Sequence, residues 1–242
     1  MTAASRYHGA VAATLTRSIG SVLVAIATIV TIVALAVVVF LNPIWVGFEQ
    51  ARSGADRFTG YSIGEVHAVT GEILSELIVG PPRFDMTVNG QAVFDARERQ
   101  HLIDVRSVLI ELFAVAAVSV FVLVVAGWRV RSRSWLWRCI AAGAGTLIGA
   151  VVVLGVFFGL FFGTAFDLFH RVFFGAGTYT FDPNTEKLVQ LFPEDFWYET
   201  SLVLAVILLA IGTGVLVVAL RRVSPAEPVS QALANLRPET RP

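Results

Sequence analysis

Four long apolar segments constrain the fold of this chain more than any other feature of its sequence. They occupy residues 19–41, 106–128, 136–162 and 200–220, and each is long enough to cross a membrane, which takes roughly 20 apolar residues in an α-helix. Hydrophobic residues form 56% of the chain and charged residues only 15%, a balance that a soluble domain of 242 residues would not tolerate. The sequence therefore predicts an all-α membrane protein with four transmembrane helices.

The distribution of basic residues predicts the orientation of these helices. Arginines fill the connection 129–135 and also occur in the terminal segments 1–18 and 221–242, whereas acidic residues concentrate in the connections 42–105 and 163–199. Because short cytoplasmic loops carry the excess of Lys and Arg, both termini are predicted to be cytoplasmic and the two acidic connections to lie outside the cell membrane. The Pro-, Ala- and Glu-rich tail 221–242 is expected to be disordered.

The outer connections carry signals of a small folded cap. Ser62 and Glu65 form a capping box at the start of a helix, and Asn89-Gly90 between two short alternating runs is typical of a β-hairpin. A further helix is predicted to begin at Asp95 and to continue into the second apolar segment. The stretch TYTFDPNTEKLVQLF predicts a second hairpin. We therefore expect an extracytoplasmic α+β cap made of two hairpins and a short helix.

Glycines recur in the third apolar segment at four-residue spacing. They are Gly145 and Gly149, followed by Gly155, Gly159 and Gly163. Small residues at this spacing let a second helix approach closely, so helix packing is favoured over a pore lining. We expect these glycines to mark the contact between the third helix and a neighbour.

Two histidines near the outer membrane boundary are the first candidates for chemistry. His101 is followed one helical turn later by Asp104, and His170 is preceded by Asp167 at the same spacing. Residues three apart on a helix share a face, so each carboxylate can fix the tautomer of its imidazole and raise its basicity. The spacing equally allows Asp167 to pair with Arg171, which would leave His170 as a polar residue of the membrane interface.

Other polar residues near these histidines have weaker signals. Glu111 lies about two turns below Asp104 in the hydrocarbon, where an ionisable residue is costly and is either functional or held by a hydrogen bond to a neighbouring helix. Arg106, Arg171 and Lys187 are candidates to hold a phosphate or an oxyanion, or to extend towards lipid headgroups. The residues predicted to support the two histidines are Asp104, Asp167, Glu111, Arg106 and Arg171.

Motifs for other chemistries are weak or missing from the sequence. Two histidines with two carboxylates are possible metal ligands, but the chain has no HExxH motif and no clustered Cys/His spacing. It also lacks a GxSxG motif and a phosphate-binding glycine loop, so hydrolysis through a covalent serine is disfavoured. No cofactor or metal is expected, and His67 is interpreted as a packed core residue of the cap.

Four strings, in order along nearly the whole chain, carry a family resemblance: LNPIWVGFEQAR, HLIDVR, FHRVFF and TFDPNTEKLVQLFPEDFWYE. The set resembles the lipoprotein intramolecular transacylase family of bacterial membrane proteins. The resemblance implies an enzyme that moves an acyl chain from the diacylglyceryl group of a lipoprotein to the α-amino group of its N-terminal cysteine, giving the lyso-form. It also implies two catalytic histidines, matched by the motifs to His101 and His170, with a diacylated lipoprotein and membrane lipids as partners and no nucleic acid.

The residues fit this chemistry. An α-amino group with a pKa of about 8 needs only a modest base such as an imidazole with a pKa of about 6.5, and a second imidazole can return a proton to the leaving oxygen. Because donor and acceptor belong to one molecule, no covalent enzyme intermediate is required. Two alternatives remain open at this point: a non-catalytic scaffold or receptor whose cap binds a peptide, and a metal-dependent membrane hydrolase.

Overall fold

The computed structural model describes residues 3–129, 133–175 and 177–223, and side chains within these ranges from Ser18 onward. The predicted disordered tail beyond Val223 lies outside the described residues. The described ranges form nine helices and one hairpin: α1 (Ala3–Phe40), α2 (Pro43–Ser53), α3 (Ala55–Thr59), α4 (Ile63–Ile78), β1 (Thr87–Val88), β2 (Gln91–Ala92), α5 (Ala96–Arg129), α6 (Arg133–Leu160), α7 (Phe162–Phe173), α8 (Lys187–Leu191) and α9 (Glu194–Arg222).

Four helices in the described part of the chain are long and apolar enough to cross a membrane. They are Ser18–Phe40 of α1, together with α5, α6 and α9, so the predicted four-helix membrane fold is confirmed. α1 lies between the others, because it packs against α5, α6 and α9, while α6 and α9 form a second close pair. At about 1.5 Å per residue, the 34 residues of α5 exceed a hydrocarbon layer of about 30 Å, so α5 extends from the membrane into the cap.

α6 and α1 come into close contact at a glycine that the four-residue spacing did not single out. A Cβ atom on Gly143 would lie 2.5 Å from the backbone oxygen of Ala25, so a larger residue would push the two helices apart. Gly145 and Gly149 face open space within the described structure. The prediction that Gly145 and Gly149 mark the helix contact is therefore wrong.

The cap is held together by one hydrophobic core. α4 begins with the predicted capping box, in which the backbone N–H of Ser62 donates to Glu65 at 2.8 Å. The predicted hairpin is also present, with Val88 paired to Gln91 in antiparallel register. Buried side chains from α4, the hairpin region, α5 and α8 fill the core: Val66, Ile73, Phe84, Phe94, Leu102 and Leu191.

The second predicted hairpin is wrong, because a turn and the short helix α8 take its place. The turn is closed by the backbone N–H of Asn184, which donates to the side chain of Asp182 at 2.9 Å. The backbone N–H of Leu188 then donates to the buried carboxylate of Glu98 at 2.7 Å. A side chain therefore provides the hydrogen-bond acceptor that a partner strand would have provided. One helical turn also places Leu188 and Leu191 on the same side, where both are buried in the core.

Two helices that start directly beside the membrane helices were not predicted as separate elements. Only two residues separate the end of α1 from the start of α2. α2 begins there because Pro43 is its first residue and Asn42 caps it by accepting from the backbone N–H groups of Ile44 and Trp45 at 3.0 Å. α7 follows α6 after a break at Phe161, whose backbone leaves the helical region. The cap is therefore more helical than expected, with several short helices and one hairpin.

Candidate active site

Two histidines from different helices come together between the membrane helices and the cap. His101 lies near the N-terminal end of α5 and His170 lies in the last turn of α7. The centroids of their rings are 6.0 Å apart, and the ring planes are inclined by 23°. Both residues are only 8% exposed. The two residues predicted as catalytic from the sequence therefore form one buried pair.

Aromatic rings surround this pair. Phe174 touches both histidines, with centroid distances of 4.8 Å to His101 and 5.5 Å to His170. Phe181 lies 5.4 Å from His101, and Phe166 lies 4.1 Å from His170. Further rings beside His170 are those of Phe169 and Tyr179. The rings exclude water from the pair and provide apolar surface for hydrocarbon.

Hydrogen bonding distinguishes the two imidazoles. His170 Nδ1 lies 2.7 Å from the backbone carbonyl of Phe166, and because a carbonyl can only accept, Nδ1 must carry the hydrogen. Neutral His170 therefore presents an unprotonated Nε2. His101 Nδ1 is buried and has no hydrogen-bond partner among the described residues. Burial lowers the pKa of His170, against smaller opposing contributions from the Phe166 carbonyl and the charge of Asp167.

The carboxylates that were expected beside the histidines bind other residues. Asp167 forms an ion pair with Arg171 at 2.8 Å, and both side chains are largely exposed. Asp104 accepts a hydrogen bond from Gln100 at 2.9 Å. Several residues lie one helical turn from each carboxylate and are possible partners. A charged carboxylate is also better solvated at the surface than beside a buried imidazole. Of the two pairings that the spacing allowed for Asp167, the structure therefore shows the one with Arg171. Neither carboxylate accepts a hydrogen bond from an imidazole in the described structure, and the supporting role of Asp104 and Asp167 stays a prediction.

The remaining cations near the site have structural contacts. Arg106 donates to the carbonyl of Glu76 at the end of α4, and its guanidinium lies against Gly80. Lys187 donates to the carbonyl of Thr59 at 2.8 Å and also binds Gln190. These contacts connect α5 to α4 and α8 to α3. Within the described residues, neither Arg106 nor Lys187 is hydrogen-bonded to the histidine pair, and the supporting role of Arg106 stays a prediction.

Two other predicted residues lie away from the pair. Glu111 is exposed on α5 with no hydrogen bond or ion pair within the described residues, and at about 1.5 Å per residue it is about 15 Å along the helix from His101. His67 is exposed on α4, so its interpretation as a core residue is wrong. In the part of the chain that the structure describes, no group of three or more His, Cys, Asp or Glu residues is arranged to hold a metal ion.

Sequence reasoning missed two of the aromatic residues that line the pair, Tyr179 and Phe181. They belong to the segment that is predicted as a hairpin, so their side chains are not expected at the site. The phenylalanines around His170 are predictable, because Phe166 lies one helical turn before it and Phe174 one turn after it.

The fold and this site define a class: a multi-pass membrane protein with a buried pair of histidines under a small cap. Comparison with known families identifies one family within that class. The family described as lipoprotein intramolecular transacylase Lit matches residues 19–197, and the chain belongs to this family. It is therefore a membrane acyltransferase that acts in lipoprotein modification, with a lipoprotein substrate and membrane lipids as partners. Family membership decides against the scaffold and the hydrolase.

Solved structures share the fold at low sequence identity. The lipoprotein intramolecular transacylase Lit from Bacillus cereus matches with a TM-score of 0.72 and 17% identity, over 91% of this chain and 99% of that chain. Variants of that protein with one histidine replaced by arginine or by alanine match with TM-scores of 0.70 and 0.69, at 16% and 15% identity, over 94% and 93% of this chain. No curated protein sequence matches the chain significantly.

Proposed function

We propose that this protein moves an acyl chain from the diacylglyceryl group of a bacterial lipoprotein to the α-amino group of its N-terminal cysteine. The product is the lyso-form of the lipoprotein, and the catalytic residues are His101 and His170. The observation that carries the proposal is the buried pair of imidazoles 6.0 Å apart. Two proton-transfer groups at that separation can serve the attacking and the leaving atom of one reaction.

The reaction needs one proton to be removed and one to be returned. The amine nitrogen bonds to the ester carbonyl carbon, its proton goes to one imidazole, and the bond from the carbonyl carbon to the glycerol oxygen breaks. The first imidazole passes this proton to the second, which gives it to the glycerol oxygen. Both imidazoles therefore enter and leave the cycle neutral, the form that burial favours.

The hydrogen bonds suggest which histidine has which role. Phe166 holds the Nδ1 hydrogen of His170, so Nε2 of His170 is ready to accept the amine proton. His101 Nδ1 has no partner among the described residues, so it is available to a substrate oxygen. We assign His170 as the base and His101 as the acid. The replacement of one histidine in two of the Bacillus cereus structures agrees with a histidine-based mechanism.

The surroundings of the pair suit a lipid ester. The phenylalanines beside the histidines provide apolar surface for an acyl chain, while the wet cap side can take the peptide. Holding amine and ester of one molecule in contact can remove about 7 kcal/mol or more of the barrier. The positive-inside rule supports cytoplasmic termini and an outward-facing site, where the lipids of an anchored lipoprotein lie. We also propose that Glu111 faces the substrate from within the membrane, since it has no partner in the described structure.

Replacing the histidines tests this mechanism. His101→Ala and His170→Ala should each abolish acyl transfer, and the double variant should be scarcely worse than either, because the two residues act as a unit. The measurement is mass spectrometry of the N-terminal lipopeptide of one lipoprotein from cells with and without the protein. His67→Ala is the matched control, since this histidine is exposed and lies outside the site.

The outcomes distinguish the loss of a catalytic group from general damage to the folded protein. Full conversion by the double variant, at an expression level equal to that of the wild type, would end the two-histidine mechanism. Loss of activity in His67→Ala to the same degree would instead mean that any histidine replacement damages the protein.

A further inference from the structure

A buried carboxyl group at the junction of α2 and α9 has no part in the chemistry above. Glu49 of α2 is 2% exposed, and its Oε1 atom has no hydrogen-bond partner among the described residues. Its carboxyl group faces that of Glu199 on α9, close enough for the charge of Glu199 to act on it. Arg52 Nε lies 3.0 Å from the Glu199 carboxylate and 3.6 Å from Glu49 Oε1. Two acids therefore share one guanidinium.

Two carboxyl groups beside a single guanidinium favour a proton on one of them. Glu49 is the group that water solvates least, so it is the one that holds the proton. Burial, followed by the contact with Glu199 and its charge, raises the pKa of Glu49 to about 7, against an opposing contribution from Arg52. Glu49 is therefore neutral below this pH and charged above it.

The other elements packed against α2 bring no further compensating charge to Glu49. α1 has no charged residue over residues 18–40. α4 presents His67 over Gly47, which lies on the opposite side of α2 because two residues along a helix turn by about 200°. α3 places Arg57 beyond the end of α2. Only Arg52 and Glu199 are thus left to set the charge of the group.

The outer end of α9 connects this junction to the histidine pair. The ring of Trp197, two residues before Glu199, lies 6.2 Å from that of Phe166 on α7. Phe166 in turn packs on the imidazole of His170 at 4.1 Å and accepts the hydrogen of its Nδ1 atom. A displacement of the outer end of α9 therefore reaches the histidine that we assign as the base.

We propose that protonated Glu49 is a positioning residue for the acyl transfer, because it holds the outer end of α9 against α2 and thereby keeps His170 in place. The inference rests on the proposed function, since it concerns the assigned base. When Glu49 loses its proton, its buried carboxylate and that of Glu199 face one guanidinium, and their repulsion weakens the junction. Activity then falls with rising pH for a reason that lies outside the histidine pair.

Glu49→Gln tests this inference, because glutamine keeps the shape of the protonated carboxyl group and cannot ionise. Rates of acyl transfer are measured for the full-length protein with a synthetic diacylated lipopeptide across the neutral range, and the ratio of variant to wild type cancels the titration of the substrate amine. We expect this ratio to rise by up to roughly tenfold per pH unit above the pKa of Glu49. Glu72→Gln, at an exposed carboxylate of α4, is the matched control and should give a constant ratio.

Each outcome has a distinct meaning. A constant ratio for Glu49→Gln would overturn this proposal and leave the transacylase intact, whereas a wild type without transfer at any pH would contradict the proposed function. If Glu49→Gln does not fold, infrared spectroscopy of the Glu111→Gln protein decides the matter, since this replacement removes the one acidic residue of the four apolar segments, a carboxyl group that the membrane could also keep protonated. A protonated-carboxyl band that titrates near neutral pH is expected, and its absence below that range would refute the proposal.

Discussion

At the scale of single residues, the surroundings of each histidine matter more than its sequence neighbours. His101 and His170 are buried among aromatic rings, and one backbone carbonyl fixes the tautomer of His170. The carboxylates Asp104 and Asp167, which share helical faces with them, bind Gln100 and Arg171 instead. The pair is therefore tuned by burial and by backbone, and a buried neutral imidazole remains a proton acceptor to lower pH than an exposed one.

This tuning predicts a change in the acid side of the pH profile. Burial lowers the pKa of His170, so the folded protein should keep its proton acceptor neutral below the ordinary imidazole range and lose activity only as pH falls further. Phe174→Ala removes a ring that touches both histidines, admits water, and should move the loss of activity to higher pH. Phe174→Leu keeps the apolar cover and serves as the control. Initial rates across the acid range measure the shift, and identical profiles for the two variants would show that burial does not set it.

At the scale of elements, long helices connect the membrane to the cap. α5 continues without a break from the membrane into the cap, where Glu98 binds the backbone of α8 and Arg106 binds the end of α4. α7 departs from α6 at Phe161 and so brings His170 to α5 rather than away from it. α1 packs against both α5 and α6, so it sets the distance between the helix that contains His101 and the one that leads into α7. The geometry of the site thus depends on how closely these membrane helices approach one another.

Gly143 allows us to test this dependence. Gly143→Leu should separate α6 from α1, because the new Cβ atom would meet the backbone oxygen of Ala25, and overpacking of this kind costs about 1–3 kcal/mol or more. Gly145→Leu, two residues further along the same helix, faces open space and is the control. Thermal unfolding in detergent should occur at lower temperature for Gly143→Leu alone. Equal stability of the two variants would mean that α6 and α1 can separate at no cost.

At the scale of the whole molecule, charge is balanced in number but not in position. The chain has 18 Lys and Arg residues and 18 Asp and Glu residues, and the acids concentrate in the two connections that form the cap. This separation, together with four membrane helices, supports cytoplasmic termini and a cap outside the cell. The matched family region, residues 19–197, includes the cap and three of the four membrane helices.

Cysteine labelling on intact cells measures this orientation. In a Cys139→Ala background, Gln91→Cys on the hairpin should react with an impermeant thiol reagent, because this residue is exposed in the cap. Arg133→Cys, which is exposed at the start of α6, should react only after lysis. The reverse pattern would place the cap in the cytoplasm and remove the lipoprotein from the reach of the histidines.

The sequence by itself determined the features that depend on local pattern. The four apolar segments, the capping box of α4 and the Asn89-Gly90 hairpin were all predictable, because helix length, caps and turns are decided by residues close together in the chain. His101 and His170 were also predictable as candidates, since a polar residue among apolar ones is unusual at the edge of a membrane helix.

Only the tertiary structure decided the features that depend on distant partners. The segment before α9 became a helix because Glu98, about 90 positions earlier, accepts from the backbone of Leu188. Each histidine has several possible neighbours at helical spacing, and burial against Phe166, Phe174 and Phe181 determined which contacts form. Sequence spacing limits what can meet, but packing between helices selects among these possibilities, because it depends on atoms that only the complete fold brings together.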